Sequence, residues 1–531
     1  MSHRRHLRFI LPAVLAASLT LTACAAGGSS DSKGTESLTI ASFEPDHLTP
    51  GRTQLAYLES QALFSPLTFV DVDGNVSMVA ADSITSSDAV TWTITLKQNW
   101  TFHDGSIVTA QDYVDTWNAV AYGPNAWAGN GSMINIDGYE DLNSATGEPS
   151  STTMSGLTVV DDTTFTVTLK APDGQFPVQL SQNMPAFFPM PAAAFEDPEG
   201  YDRMPIGNGP FEMAQPWESN EPIVVTAYDD FAGETPGAAS FTFQPYVDMG
   251  AAYTDAQAGN VDILTIPQDK AAVAEADFPG RLQTDDVPGI TYLAFPTNDP
   301  RFADVRVRQA FSMAIDRDAV NQAAFAGQFA PATAWTSPAQ PGTPAGVCGE
   351  YCEYDPDAAK TLLAEAGGFS GPVELFFIGG GGEQVEWDAY ANQLRQNLGL
   401  DDVTASPNTD FAAFLTARSA EELTGPYYSG WIAPYPSQQA TLHAVFTPAG
   451  LCAGCAQGVD PAVADAIAAA DSQLDPAAAQ QGYADAQALI AEGFSVAPLF
   501  SVTSTFFASE KVEDLIVSGG YLVLPQVRAA Q

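Results

Sequence analysis

Basic residues are scarce in this sequence. Of its 531 residues, 19 are Lys or Arg and 64 are Asp or Glu, which gives a formal net charge of −45 at pH 7. A protein that binds nucleic acid needs a cationic surface to release counterions from the phosphates, so this function class is excluded. Only 16% of the residues are charged, so much of the polar surface must consist of Ser, Thr, Asn, Gln and backbone. Such a surface suits a ligand that is neutral, cationic or rich in amide groups.

Histidines and catalytic motifs are also few. The chain has 5 histidines and contains no H-E-x-x-H, G-x-S-x-G or G-x-x-x-x-G-K-[ST] pattern, the motifs of zinc proteases, serine hydrolases and phosphate loops. The neighbours His103 and Asp104 belong to the sequence F-H-D-G, which is typical of a turn in which Gly105 supplies backbone freedom. We therefore predict no enzymatic activity, no catalytic residue, no cofactor and no bound metal.

Apolar runs long enough to cross a membrane are absent, and one shorter run stands near the N-terminus. Residues 9–21 are apolar and follow three arginines, which is typical of an export signal. The run ends in Leu-Thr-Ala before Cys24 and resembles the bacterial lipobox, whose cysteine is lipidated and becomes the mature N-terminus. The alternative is a secretory leader that merely contains a cysteine. We predict a lipoprotein signal peptide at residues 1–23, a flexible tether at residues 24–36, and a protein held at the extracytoplasmic face of the cell membrane by lipid on Cys24 alone.

Cysteines are rare outside this leader. An even number in an exported protein predicts two disulfides, and the spacing leaves all three connectivities open. The alternative is a zinc site with four thiolates, which an oxidising compartment disfavours. The residues concerned are Cys348, Cys352, Cys452 and Cys455.

Strands alternate with helices through both halves of the chain. Residues 91–96 alternate in polarity and predict a strand, and Thr109 followed by Asp112 predicts a helix that begins at residue 110. Asp355 and Pro356 similarly predict a helix start. This alternation predicts the α/β fold class with two lobes.

Two further features receive a structural interpretation. A charged group on neighbouring helices is interpreted as an exposed helix face; it comprises Arg306, Arg308, Asp316 and Arg317. The glycine run at residues 379–382 lacks the Lys and Ser/Thr of a phosphate loop, and its position between a strand and a helix predicts a turn.

Several motifs follow one another in an order that matches a known family. They are the segments 92–96 (WTITL), 100–105 (WTFHDG), 109–112 (TAQD), 206–211 (IGNGPF), 298–318 (NDPRFADVRVRQAFSMAIDRD), 354–363 (YDPDAAKTLL) and 430–437 (GWIAPYPS). Each motif alone is weak, but their shared order over nearly the whole chain is specific. The sequence resembles the family 5 extracellular solute-binding proteins, the peptide-, dipeptide- and nickel-binding components of ABC importers.

This resemblance implies a two-lobed Venus-flytrap architecture of the periplasmic-binding-protein type II, with an extra subdomain in lobe I. Lobe I would comprise residues 37–290 and 505–531, its inserted subdomain about residues 77–202, and lobe II residues 291–504. The resemblance also implies that a monomer captures oligopeptides between its lobes, closes around them, and delivers them to ABC permease subunits.

The resemblance implies that the motif at residues 430–437 lines the cleft, and the alternative is that its aromatics are ordinary core. The implied ligand contacts on this side are Tyr428, Trp431, Ile432, Ala433 and Tyr435. The opposite wall would use Thr53, Gln54 and Trp127, with Arg52 and residues 265–268 as weaker candidates.

One position departs from the family pattern. Pro434 stands where the family usually has an aspartate, and in several peptide binders that acid pairs with the α-ammonium of the ligand. Proline cannot supply this partner, so either another acid does so or the ligand has no free amino terminus there. An oligosaccharide or other non-peptide solute is therefore an alternative. A secreted hydrolase is a weaker one, since three histidines remain after the leader, and a signalling receptor would use the same fold.

Overall fold

The computed structural model describes residues 36–71, 74–144, 147–379, 383–448 and 450–530. The predicted signal peptide, Cys24 and all but the last residue of the predicted tether lie outside the described residues, as do residues 380–382 of the glycine run. None of the helices in the described ranges is long and apolar enough to span a bilayer.

The helices are distributed along the whole of the described chain. They are α1 Tyr57–Leu63, α2 Ala110–Ala121, α3 Tyr139–Leu142, α4 Phe176–Gln179, α5 Ala193–Glu196, α6 Pro198–Arg203, α7 Met249–Gln257, α8 Ala271–Asp277, α9 Val305–Met313, α10 Arg317–Phe325, α11 Pro356–Glu365, α12 Gln384–Leu398, α13 Phe411–Ser419, α14 Gln438–Phe446, α15 Pro461–Asp471 and α16 Pro476–Gly493. The start of α2 carries the predicted capping box, because Thr109 and Asp112 each bond the other's backbone N–H.

The strands are short except for two of thirteen residues. They are β1 Ser37–Ser42, β2 Thr68–Val70, β3 Val76–Met78, β4 Ala81–Thr85, β5 Thr91–Leu96, β6 Leu157–Asp161, β7 Thr164–Thr168, β8 Phe211–Met213, β9 Ile223–Ala227, β10 Ser240–Pro245, β11 Ile263–Thr265, β12 Leu282–Ala294, β13 Ala330–Pro331, β14 Val373–Ile378, β15 Val403–Asn408, β16 Tyr427–Ile432, β17 Val496–Ala508, β18 Val512–Asp514, β19 Val517–Ser518, β20 Tyr521–Leu522 and β21 Arg528–Ala529.

One large sheet runs through the molecule in the order β15-β14-β16-β12-β17-β11-β1-β10-β9-β8, with β13 paired to β17. It holds two parallel sets: an N-terminal set of β1, β10 and β11, and a C-terminal set of β14, β15 and β16. The long antiparallel strands β12 and β17 lie between the sets, and their register shifts between Asp286 and Ile290. We call residues 286–290 the central bulge.

Separate hydrophobic cores surround this sheet. One core draws its buried residues from positions 290–500, a second from positions 67–187, and a third from β1, α1, β8 to β11 and the C-terminal strands. The second core belongs to the separate four-stranded sheet β4-β5-β7-β6 and helix α2. Strands and helices therefore alternate around more than one core, and the α/β fold class predicted from the sequence is confirmed.

The interpretation of the charged group as an exposed helix face is wrong for two of its members. Arg308 and Arg317 are buried, and their guanidinium groups donate to backbone carbonyls. Arg308 donates to Phe494 at the end of α16, and Arg317 donates twice to Pro498 in β17, at 2.9 and 2.8 Å. These carbonyls lie about 180 residues away along the chain. Helical spacing alone gives no signal for such partners.

Candidate functional site

The carboxyl ends of both parallel sets point toward the central bulge. Along β11 the partner in β17 changes from Ala508 to Phe506, and β17 reaches the bulge at Thr503. Along β16 the partner in β12 changes from Ala294 to Gly289, which lies in the bulge itself. The two carboxyl edges therefore face each other across the strands that join them. Ligands of open α/β sheets bind in the crevice outside the carboxyl ends of the strands, so we assign the candidate site to this crevice.

Exposed apolar side chains collect at both carboxyl edges. They end a strand, follow one within two residues, or lie in the first turn of the next helix, and each is at least 54% exposed: Phe43 and Val247 at the N-terminal set, and Val385, Phe411 and Ile432 at the C-terminal set. Large apolar groups left in water at a crevice mark a surface that a ligand covers. The sequence analysis identified Ile432 and missed the other four. The available signal was that each follows a strand of a parallel set.

Strand β16 supplies most of the predicted contacts at the C-terminal edge. Trp431 is partly buried, and its indole Nε1–H is shielded from solvent without a partner among the described residues. Tyr428 is partly buried, and burial followed by the charges of Glu386 and Glu383 raises its pKa to about 12. The side chain of Ala433 is buried and its N–H donates to Pro288, so Ala433 exposes no side chain to the crevice.

Tyr435 lies in a different environment from Trp431. Its hydroxyl donates to Oε1 of Gln439 at 3.0 Å, and the side chain amide of Gln439 donates to Asp173 at 2.9 Å and to Asp471 at 3.1 Å. Gln179 donates to both Asp173 and Gln439, at 2.7 and 3.0 Å. These bonds join residues 173–179, which include α4 and contribute Phe176 to the second core, to helices of the first core. We call this the 173–179 contact.

Charge and close packing both characterise the 173–179 contact. Burial, with the nearby charge of Asp471, raises the pKa of Asp173 to about 6. Asp471 accepts from Tyr483 at 2.7 Å and pairs with His443 at 2.8 Å. Gly174 approaches the backbone of Gln473 so closely that an added Cβ would lie 1.9 Å from its carbonyl oxygen. The two surfaces are therefore fitted to each other at backbone distance.

A chain of hydrogen bonds connects this contact to the central bulge. Ser337 donates to the carbonyl of Val287 at 2.6 Å, and Gln340 donates to the carbonyl of Ser437 at 2.6 Å. Ser437 in turn donates to Gln175 at 3.0 Å. The 173–179 contact and the bulge are thus linked through buried polar groups of the first core.

The other predicted wall is a loop held by two aspartates. Asp46 accepts from the hydroxyl of Thr53 and the N–H of Gln54, and Asp202 accepts from the backbone of Leu48 and Thr49. Gln54 is exposed. Trp127 packs beside Gly51 and so lies next to the same loop, while Arg52 faces Asp202 at 3.9 Å and Glu199 at 3.6 Å. Thr53, Gln54 and Trp127 therefore share one region.

The four cysteines after the leader are paired locally. The sulfur atoms of Cys348 and Cys352 lie within bonding distance, as do those of Cys452 and Cys455. The second pair lies behind β16, because Tyr427 donates to the carbonyl of Gly454 at 2.8 Å. No group of three or more His, Cys, Asp or Glu side chains in the described ranges is arranged to hold a metal ion, so the zinc alternative finds no support there.

His103 has the structural role expected of a turn residue. Its Nδ1 accepts from the N–H of Gly207, and its Nε2 lies 3.1 Å from the carbonyl of Gly209. This pattern requires a neutral ring with the proton on Nε2, and burial lowers its pKa to about 4. The imidazole therefore anchors the second core to residues 207–209.

The chain is similar in sequence and in fold to proteins of known family. The family model described as bacterial extracellular solute-binding proteins, family 5 Middle, matches residues 75–451. The chain is 28% identical over 466 residues to the periplasmic murein peptide-binding protein MppA of Escherichia coli K12, which covers 83% of this chain and 82% of that protein. It is 28% identical over 312 residues to the oligopeptide-binding protein AppA of Bacillus subtilis 168, covering 57% and 54% of the two chains. The unliganded open form of MppA shares the fold with a TM-score of 0.80 at 23% identity, over 94% of this chain and 96% of that one.

Proposed function

Since the chain belongs to the bacterial extracellular solute-binding proteins of family 5, we propose that it captures oligopeptides in the crevice between the two carboxyl edges and delivers them to an ABC permease. Members of this family are binding proteins of transport and not enzymes, and the fold is that of the two-lobed binding proteins. The observation that carries the proposal is the pair of facing carboxyl edges with their exposed apolar side chains. The relatives named above as peptide-binding proteins support peptide as the ligand class.

The proposed mechanism needs no chemical step. Lobe I comprises residues 37–290 and 505–531 with its inserted subdomain near residues 77–202, and lobe II comprises residues 291–504. The strands β12 and β17 are the covalent crossings, and the central bulge, where their register shifts, is the proposed pivot. Rotation there brings Trp431 and Ile432 toward the wall of Thr53, Gln54 and Trp127, where peptide groups replace the water on both walls.

A Trp431→Ala variant is expected to bind peptide at least tenfold more weakly than the natural chain. Removing a large, partly buried aromatic from the centre of a site costs about 2 kcal/mol or more. Trp431→Phe should lose less peptide affinity than Trp431→Ala, because phenylalanine keeps most of the apolar area and lacks only the unpartnered Nε1–H. The measurement is the thermal shift of the compact unit at residues 33–531 with pools of peptides and of oligosaccharides, because a ligand of the native state must raise its melting temperature.

The control for this variant is Tyr354→Ala, which removes an exposed aromatic side chain before α11 that is not among the residues assigned to either wall. It should leave the peptide response unchanged. A response to oligosaccharides alone would contradict the peptide proposal and favour the alternative that Pro434 raises. Equal losses of peptide affinity in the Trp431 and Tyr354 variants would contradict the assignment of Trp431 to the binding site.

We further propose that the protein is exported and anchored by lipid on Cys24, acting as a monomer. This proposal rests on the apolar run at residues 9–21 and the Leu-Thr-Ala-Cys sequence that ends it. The relative MppA is described as periplasmic, which is consistent with a location outside the cytoplasm.

We propose that both cysteine pairs are disulfides formed after export. The doubly substituted variant Cys452→Ser with Cys455→Ser should lose about 2 kcal/mol of unfolding free energy, the loop-closure contribution of so short a ring. It should also weaken peptide binding, since Gly454 supports β16 through Tyr427. Urea unfolding and peptide titration measure the two effects. The matched variant Cys348→Ser with Cys352→Ser should lose similar stability and keep its affinity. If the thiols of these four cysteines react with a thiol reagent before the protein is reduced, the proposed disulfides are contradicted.

A further inference from the structure

A hairpin near the C-terminus ends on the central bulge. Strands β19 and β20 pair with each other and are joined by Gly519 and Gly520, whose positive φ angles of 58° and 72° suit a two-residue type I′ turn. Leu522 of this hairpin belongs to the third core, which fixes its base in the proposed lobe I. The N–H of Gly520 donates to Oδ2 of Asp285 at 2.8 Å, one residue before the bulge. We call Gly519 and Gly520 the hairpin tip.

The hairpin tip leaves no free space between Gly520 and the bulge. A Cβ added to Gly520 would lie 2.3 Å from Cγ2 and 2.9 Å from Cα of Val287. A Cβ added to Gly519 would approach only Cδ of Pro288, at 3.8 Å. Val287 is 4% exposed, so this contact is buried. Glycine is therefore required at position 520, where the backbone of the hairpin lies directly against the backbone of the bulge.

The other side of the bulge is held by the proposed lobe II. Residues 287–289 stand opposite the single residue 502 of β17, so the register shift leaves Val287 and Pro288 without partners in that strand. The hydroxyl of Ser337 donates to the carbonyl of Val287 at 2.6 Å, and the N–H of Ala433 donates to the carbonyl of Pro288 at 2.8 Å. The bulge is thus attached to lobe II through its carbonyls, and it meets lobe I at the hairpin tip.

We propose that the hairpin tip is a mechanical stop that limits how far the two lobes open. The inference rests on the proposed function, because it concerns the rotation that encloses the ligand. The crevice is uncovered in this structure, since apolar side chains at both of its edges are at least 54% exposed. The contact between Gly520 and Val287 therefore belongs to the open form.

The direction of the stop follows from the attachments on its two sides. Gly520 is fixed to lobe I, and Val287 is bonded to Ser337 of lobe II, so rotation at the bulge changes the separation of Gly520 and Val287. A rotation that brings them together is blocked, because no room for a methyl group is left between them. Closure must therefore move them apart, and the hairpin tip blocks rotation beyond the open form. Such a stop keeps the motif at residues 430–437 within a short rotation of the opposite wall.

Two substitutions should move the lobes in opposite directions. Gly520→Ala places a methyl group against Val287, and rotation toward closure relieves this contact. The empty protein should then be more closed and should bind peptide about threefold more tightly, because more of it is in the binding-competent form. Val287→Ala removes the side chain that meets the tip, so the empty protein should open further and bind peptide more weakly.

The matched control is Gly519→Ala. It also places alanine at a positive φ angle, and it has no close neighbour in the bulge. The strained backbone should lower the melting temperature, as it does in Gly520→Ala. The lobe separation and the peptide affinity should both stay unchanged.

The measurement is the distance between two nitroxide labels, obtained by pulsed electron paramagnetic resonance on residues 33–531 without ligand. The labels are attached at Ala272→Cys in α8 and Ala412→Cys in α13, exposed positions on helices that follow strands of the N-terminal and the C-terminal set. The mean distance should shorten in Gly520→Ala, lengthen in Val287→Ala and stay constant in Gly519→Ala. With saturating peptide the natural chain and all three variants should give one distance, because closure moves Val287 away from the tip.

The outcomes separate the stop from the proposed function. Equal distances in the natural chain and its three variants would overturn the stop, as would a shortening shared by Gly519→Ala and Gly520→Ala. If Gly520→Ala does not fold, Val287→Ala decides: a longer distance supports the stop, and an unchanged or shorter distance overturns it. Shifts in the expected directions support the stop even if no peptide binds. The absence of peptide binding to the natural chain would overturn the proposed function instead.

Discussion

Replacing Arg317 with methionine is expected to lower the free energy of unfolding by about 3 kcal/mol. The guanidinium is buried, donates twice to the carbonyl of Pro498, and reaches the carbonyl of Cys352 at 3.3 Å and the hydroxyl of Ser312 at 2.8 Å. Each buried acceptor left without a donor costs about 1–3 kcal/mol, and methionine supplies none. Proline cannot donate to the sheet, so Arg317 supports β17 where its backbone is weakest. Urea unfolding followed by circular dichroism measures the loss.

The control for this prediction is Arg306→Met. Arg306 lies in α9, its side chain is 45% exposed, and it pairs with Asp304 at 2.6 Å on the surface. Exposed pairs of this kind contribute up to about 1 kcal/mol, so the variant should remain close to the natural chain. Arg317→Lys should fall between the two, because an ammonium keeps the charge and cannot reproduce the planar pair of bonds. Equal losses at positions 306 and 317 would contradict the role assigned to the buried carbonyls.

The protein is expected to be more stable at pH 5 than at pH 8, by several kcal/mol. Burial raises the pKa of Glu386 and of Glu59 from 4.5 to about 7, and it raises that of Asp173 from 3.8 to about 6. Each of these groups holds its proton more tightly in the folded chain than in the unfolded chain. Their stabilisation is therefore complete below the unfolded pKa values and is lost as the pH rises through about 6 to 7. Urea unfolding at half-unit steps from pH 5 to pH 8 measures the slope.

One variant isolates the contribution of a single acid to this slope. In Glu386→Gln the side chain carbonyl still accepts from the hydroxyl of Tyr390, which lies 2.7 Å from Glu386, while the titrating group is gone. Since one pH unit corresponds to about 1.4 kcal/mol, the variant should remove ~3 kcal/mol of the difference between pH 5 and pH 8. Glu374→Gln, on the exposed face of β14, should leave the slope unchanged. A slope of opposite sign in the natural chain would contradict the burial of these acids.

Local signals in the sequence located many elements well. Residues 91–96 alternate in polarity and form β5 with the predicted bounds, and the capping pair Thr109 and Asp112 begins α2 at the predicted residue. The largely apolar residues 291–294 are the end of β12, which begins at Leu282. Its first half contains the polar residues Gln283 to Asp286, and because that half pairs with β17 and is not fully buried, its sequence lacks the apolar pattern of a core strand.

Burial of charge was the property that the sequence could not indicate. Asp173 and Arg317 are buried by groups distant in the chain: Gln439 is 266 residues from Asp173, and Pro498 is 181 residues from Arg317. For the site, the aromatic motif at β16 was visible because its residues are adjacent. Phe43 and Val247 become related only when β1 and β10 pair side by side.

We propose that the 173–179 contact restricts the rotation of the two proposed lobes. With the lobe boundaries proposed above, this contact joins the inserted subdomain to lobe II at backbone distance, and β12 and β17 connect the two lobes at the central bulge. A lobe attached to its partner at one point can rotate about three axes. A lobe attached at two points can rotate only about the line that joins them. If both attachments persist, closure is a single-axis swing with one degree of freedom, and every wall residue moves along a fixed arc. The hydrogen-bonded path from the bulge through Ser337 and Gln340 to Ser437 then lies along the rotation axis of this closure.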